Sequence, residues 1–152
     1  MKLSKNFTLE EFTFSQTALS IGVDNTPNDE QIKNLRYLCQ EILQPLRFMV
    51  GRPLTITSGF RCRTLNSFIG GVENSHHLCL DNFAAADFVP NGESIDYVFE
   101  LIKDSELPFT KLIHERVGEN EWLHISARRP DREILVAKED KNGKVIYELL
   151  KK

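Results

Sequence analysis

A chain of 152 residues, 41% hydrophobic and 27% charged, is long enough to enclose one apolar core and has an ordinary globular composition. Its net charge of −3 supplies no basic footprint for nucleic acid, and no apolar run approaches the roughly 20 residues that span a bilayer. The opening MKLSKNFTLEEFTF meets glutamates before any apolar segment, which does not fit a secretory signal. Cys39, Cys62 and Cys79 are odd in number and lack CxxC spacing, so a reducing compartment is expected rather than a disulfide framework. Without repeats or linkers, residues 1–152 are expected to form one domain, acting as a monomer.

In chain order, Thr8 and Glu11 have the form of a capping box that opens a short helix. From Asn28 to about Val50, Ile32, Leu35, Leu38, Cys39, Ile42, Leu43 and Leu46 follow the spacing of one buried helix face. Pro45 is expected to kink or end that helix, and Gly51 to Pro53 to close it. Cys39 falls on the apolar stripe and reads as core. LTITSGFR, residues 54–61, reads as a strand turning at Gly59, followed by a short helix over about 64–69. FAAADFV, residues 83–89, reads as a buried strand, and Ser94 as the cap of a helix through Lys103. FTKLIHE (109–115) and WLHISA (122–127) alternate as strands, with His114 read as a surface residue. REILVAK and KVIYELL flank an Asn142–Gly143 hairpin signal. Helices first and strands later predict an α+β fold with a mainly antiparallel sheet.

ENSHHLCLDNFAAADF, residues 73–88, places two histidines ahead of an aspartate that ends a run of alanines. A carboxylate on such a packed strand is costly unless paired or bound to metal. On the strand 122–127, Trp122, His124 and Ser126 alternate with Leu123, Ile125 and Ala127, which puts His124 on the more polar face. His77, Asp87 and His124 together would make a three-ligand zinc set with a fourth position for water. Spacing alone leaves this open: no HExxH is present, and a histidine on a strand is as readily a packed or solvated residue.

Five blocks carry a resemblance along nearly the whole chain: NFTLEEFTFSQTALSIGVDNTPNDEQIKNL, LCQEILQPLR, ITSGFRCRTLNSFIGGVENSHH, AAADF and WLHIS. In this order they are similar to the zinc D-Ala-D-Ala carboxypeptidase family of cell-wall peptidases, which includes phage endolysin peptidases and shares the hedgehog fold. The resemblance implies a hedgehog/D,D-peptidase-like α+β domain and one Zn²⁺ ion per chain. The family pattern of serine, any residue, histidine, six residues and aspartate, with a later tryptophan-any-histidine, falls on Ser75, His77, Asp87 and His124. Nine residues separate His77 from Asp87, so Leu80, Asp81 and Asn82 read as an insertion that a loop can absorb. His76 and Cys79 stand as alternative first ligands.

The resemblance also implies the remaining roles. Glu121, three residues before the last histidine, is the expected general base if it sits in the turn before the strand, and Glu115 is the second choice. Arg61 would stabilise the oxyanion or hold the scissile carbonyl, Ser75 would bond substrate or orient the first ligand, and Trp122 reads as a wall of the substrate groove or as core. The implied activity is hydrolysis of a peptidoglycan stem-peptide amide bond, of carboxypeptidase or endopeptidase type, in cell-wall degradation or lysis. Peptidoglycan peptide is the expected partner, with neither nucleic acid nor membrane. Lacking a signal, such an enzyme would reach the wall after phage-induced release or on a virion. The alternative is a non-catalytic, zinc-stabilised wall-binding or virion module of the same fold.

Overall fold

A computed structural model describes residues 1–151. The chain begins with a two-stranded hairpin, β1 (Lys2–Ser4) and β2 (Phe7–Thr8), and two short helices, α1 (Leu9–Thr13) and α2 (Gln16–Ile21). The backbone N–H of Thr8 donates to Glu11 Oε1 at 2.9 Å, the expected reciprocal half of the α1 capping box. The hairpin and α2 were not legible in the sequence, being too short to show a period; Ser15 caps α2 through the Ala18 N–H.

The long helix is present but is built in three parts: α3 (Asp29–Leu38), a π-helical turn (Cys39–Leu43) and α4 (Gln44–Val50). Asn28 and Gln31 exchange side-chain-to-backbone bonds of 2.9 and 2.8 Å at its start. Pro45 neither ends the helix nor stands inside an α-helical turn. It falls at the first turn of α4, where its missing N–H is no loss, and the turn before it widens so that Gln44 N–H reaches Cys39 O. Gly51 closes α4 in the left-handed conformation, φ +73°.

β3 (Leu54–Ser58), α5 (Arg63–Phe68), a 3₁₀ turn (His76–Leu78), β4 (Ala84–Pro90) and α6 (Ile95–Lys103) follow, then β5 (Lys111–Val117), β6 (Asn120–Ala127), β7 (Glu133–Glu139) and β8 (Val145–Lys151). The sheet order is β3-β4-β6-β5-β7-β8, with every pair antiparallel except β5 and β7. The exception needs no long crossover. β6 ends beside the start of β5, and residues 128–132 carry the chain round that end, where Arg132 and Glu133 N–H bond to Phe109 and Thr110 carbonyls. The fold is α+β with a mainly antiparallel sheet, as expected.

One face of the sheet is covered by helices. Leu35, Leu38, Ile42 and Leu46 from the long helix and Val98 and Ile102 from α6 pack with Ala84, Ala86, Phe88, Leu112, Leu123 and Ile125. The alanines of β4 are short because α3 crosses that strand. The other face holds Asp87, Ile113, Glu115, Trp122, His124, Leu135 and Tyr147, which line a cleft. Ser126 shares that parity yet is fully buried, its Oγ accepting from the Lys111 N–H at 3.2 Å. Among the described residues no helix is long and apolar enough to cross a membrane.

Gly59, just beyond β3, touches α1 directly. A Cβ there would lie 2.7 Å from both Cα and O of Phe12, backbone that cannot give way. Gly59→Ala is expected to destabilise the protein by about 1–3 kcal/mol through this overpacking, read as a lower urea midpoint at unchanged slope.

Candidate metal centre

Asp87 on β4 and His124 on β6 stand directly opposite each other in an antiparallel pair, so their side chains leave the sheet on the same face. His77 comes from elsewhere, the 3₁₀ turn seated on β4. Its Nδ1 donates to the Gly59 carbonyl at 2.7 Å, which turns Nε2 toward Asp87 Oδ1, 3.3 Å away. His124 Nδ1 lies 2.9 Å from the same Oδ1. One ligand atom from each residue lies within 4.8 Å of the others. Metal–ligand bonds of about 2.0–2.2 Å put tetrahedral ligand atoms roughly 3.3–3.6 Å apart. The two separations from Asp87, 3.3 and 2.9 Å, stand within a few tenths of an ångström of that spacing, and the third lies within the 4.8 Å bound.

Burial alone would raise the Asp87 pKa. The charge of His77 and hydrogen bonds from both imidazoles outweigh it and hold the carboxyl well below the usual carboxylate range. An anion so placed, with two nitrogen donors turned on it, answers the cost of putting a carboxylate after three alanines.

The alternative first ligands are excluded by their positions. His76 lies flat on Phe83, ring centroids 4.1 Å apart, and burial, reinforced by the neighbouring His124, brings its pKa down to about 4. Cys79 is fully buried in the core with its thiol pushed up to about 12 by burial, far from a thiolate at neutral pH. The three extra loop residues form a turn of their own. Asp81 and Asn82 both have positive φ (53° and 68°), and Phe83 N–H closes onto Leu80 O at 2.9 Å. These residues thus form a tight turn between His77 and Asp87.

The two glutamates exchange the order expected of them. Glu121 lies within β6 rather than before it, and an offset of three from His124 turns it to the helix-covered face. There Arg116 Nε donates to its Oε2 at 2.9 Å, and its Oε1 stands 3.1 Å from His114 Nε2. His114, expected at the surface, is only 4% exposed, packed against Phe99 beneath α6 and 3.6 Å from Asp96. Glu115, one residue further, is opposite Trp122 and lines the cleft. Burial, then the nearby Asp87 charge, raises its pKa above the ordinary value. It is the one carboxylate of the cleft lining besides Asp87.

Arg61 reaches the cleft from beyond β3. Its backbone N–H donates to the His77 carbonyl at 2.9 Å and its Nη2 to Ser75 Oγ at 3.2 Å, while its buried Nε has no partner. Ser75 also accepts from the His77 N–H at 3.2 Å, tying the loop to the arginine. Trp122 walls the cleft, its Nε1 buried and unpaired. Sequence reasoning missed Lys111, Leu135 and Tyr147, which complete a lining of about 610 Å³. Alternation could have marked Lys111, two residues before Ile113; the other two depend on which strands become neighbours.

Purified protein is expected to carry about one zinc per chain by emission spectrometry. Loss of His77, Asp87 or His124 to alanine should weaken binding beyond the 10–100-fold that loss of an outer partner costs, whereas Cys79→Ser should retain the ion. In thiol labelling of the native protein, the partly buried Cys62 should react first, with Cys39 and Cys79 protected until unfolding.

No individually curated protein matches the chain. Residues 5–126 match the family described as Peptidase M15, a span that contains all three convergent ligands together with Arg61, Ser75, Glu115 and Trp122. With the match covering most of the chain, the chain belongs to Peptidase M15, the family of zinc D-Ala-D-Ala carboxypeptidases.

Proposed function

We propose that this metallopeptidase hydrolyses an amide bond of peptidoglycan stem peptides, one that involves D-alanine, in the course of cell-wall degradation. The observation that carries the reading is the meeting of His77, Asp87 and His124 on one side of a cleft whose only other carboxylate among the described residues is Glu115. Zinc held by those three residues would lower the pKa of a water to about 7 and polarise a substrate carbonyl.

The chain's own residues account for the remaining steps. Glu115, already inclined to hold a proton by its burial, accepts one from the attacking water and returns it to the leaving amine. Arg61, anchored through Ser75 with one N–H unspent, donates to the carbonyl oxygen as negative charge develops. Arg61 and Lys111 give the cleft two cations beside the metal ligands, matched to a stem peptide that carries carboxylates. Trp122, opposite Glu115, supplies an apolar wall of the cleft. Glu121, held by Arg116 on the far face, has no part in the reaction.

The reading is tested with zinc-loaded protein and a pentapeptide muropeptide. Chelator-sensitive hydrolysis is expected, with free D-alanine marking a carboxypeptidase and a shortened cross-link peptide marking an endopeptidase. Glu115→Gln should keep zinc and lose about 10²–10⁴ in rate, while Glu121→Gln stays close to wild type. Zinc bound without any hydrolysis would favour a wall-binding module instead.

A further inference from the structure

The family match ends at residue 126, yet part of the cleft wall is built by later residues, Leu135 of β7 and Tyr147 of β8. Strand register explains how they arrive there. Trp122 is opposite Glu115, Glu115 is opposite Ala137, and Ala137 is opposite Tyr147. The four residues form one row across β6, β5, β7 and β8, and side chains in such a row stand on one face. Glu115 and Tyr147 are two strands apart, about 9–10 Å between backbones. Between them the row holds only the methyl group of Ala137, which is 2% exposed. That short side chain leaves the room for the tyrosine ring to lean across, and Tyr147 Oη donates to Glu115 Oε1 at 3.4 Å. The bond is long for O–H···O, as catalytic hydrogen bonds commonly are before substrate arrives.

We propose that Tyr147 is a positioning residue for Glu115, its hydroxyl holding the carboxylate toward the metal ligands and its ring closing the outer side of the cleft. The proposal rests on the reading of Glu115 as the proton carrier. The choice of donor has a chemical logic. Arg116 pins Glu121 with a full positive charge and lowers its pKa, which would spoil a base. A phenol orients a carboxylate while leaving it able to take a proton. Tyr147 is 55% exposed on an edge strand, so its hydroxyl contributes little to folding.

The test follows the Glu115 carboxyl by carbon NMR through a pH titration of zinc-loaded protein, in wild type and Tyr147→Phe. The variant should melt with wild type and keep its zinc. Its Glu115 midpoint should rise, because the charged form has lost a donor, and kcat should fall about tenfold with little change in KM. Ala137→Leu, which fills the gap under the ring, should raise the midpoint in the same direction, and Glu148→Gln on the other face of β8 should not. An unchanged midpoint in Tyr147→Phe overturns the assignment whatever the activity does. Should wild-type protein fail to cleave the muropeptide, the peptidase reading fails separately, and the titration still decides the contact between Tyr147 and Glu115.

Discussion

The organisation of this protein turns on one buried carboxylate. Asp87 ends a run of alanines on a central strand, where an uncompensated charge would be unsupportable, and two imidazoles reach its Oδ1 from separate parts of the chain. Each imidazole is aimed by something that is itself structural. His124 is aimed by strand pairing, and His77 by the Gly59 carbonyl, whose place is set by the contact of Gly59 with α1. The helical layer thus acts on the candidate metal centre through packing rather than contact. It sets the alanine strand, the glycine and the arginine loop against one another.

The sheet divides the molecule chemically as well as spatially. Glu115 and Glu121 have the same functional groups and lie on neighbouring strands, yet parity sends one to the cleft and the other to the opposite face. On the opposite face Glu121 stands in a polar group with Arg116, Asp96 and the buried His114, at the exposed rim of α6. On the open face, burial beside Asp87 makes Glu115 more basic. Two carboxylates in one sheet acquire opposite tendencies from environment alone.

The departure between His77 and Asp87 illustrates how little a ligand set asks of its loops. The extra residues turn back on themselves through two positive-φ positions, filled by Asp81 and Asn82, residue types that tolerate that conformation. Cys79, also at positive φ, sends its side chain into the core rather than toward the ligands. The loop turns within itself, and its ends carry His77 and Asp87 to the same cleft.

Much was legible in the amino-acid order because it depends on local periodicity. The apolar stripe from Ile32 to Leu46, the alternation around His124 and the helix capped by Ser94 each state their own faces, and the blocks around SGFR, SHH, AAADF and WLHIS carried the family. Parity even warned that Glu121 and His124 face opposite ways, a warning that only a turn at residue 121 could have lifted; the strand extends through it. What the tertiary structure alone decided is everything that depends on which strands become neighbours and what covers them. The burial of His114 under α6, the parallel pairing of β5 with β7, and the row that brings Tyr147 to Glu115 all join residues that are distant in the chain. A single strand announces its two faces but not its neighbours, since those are chosen by the packing of the whole sheet.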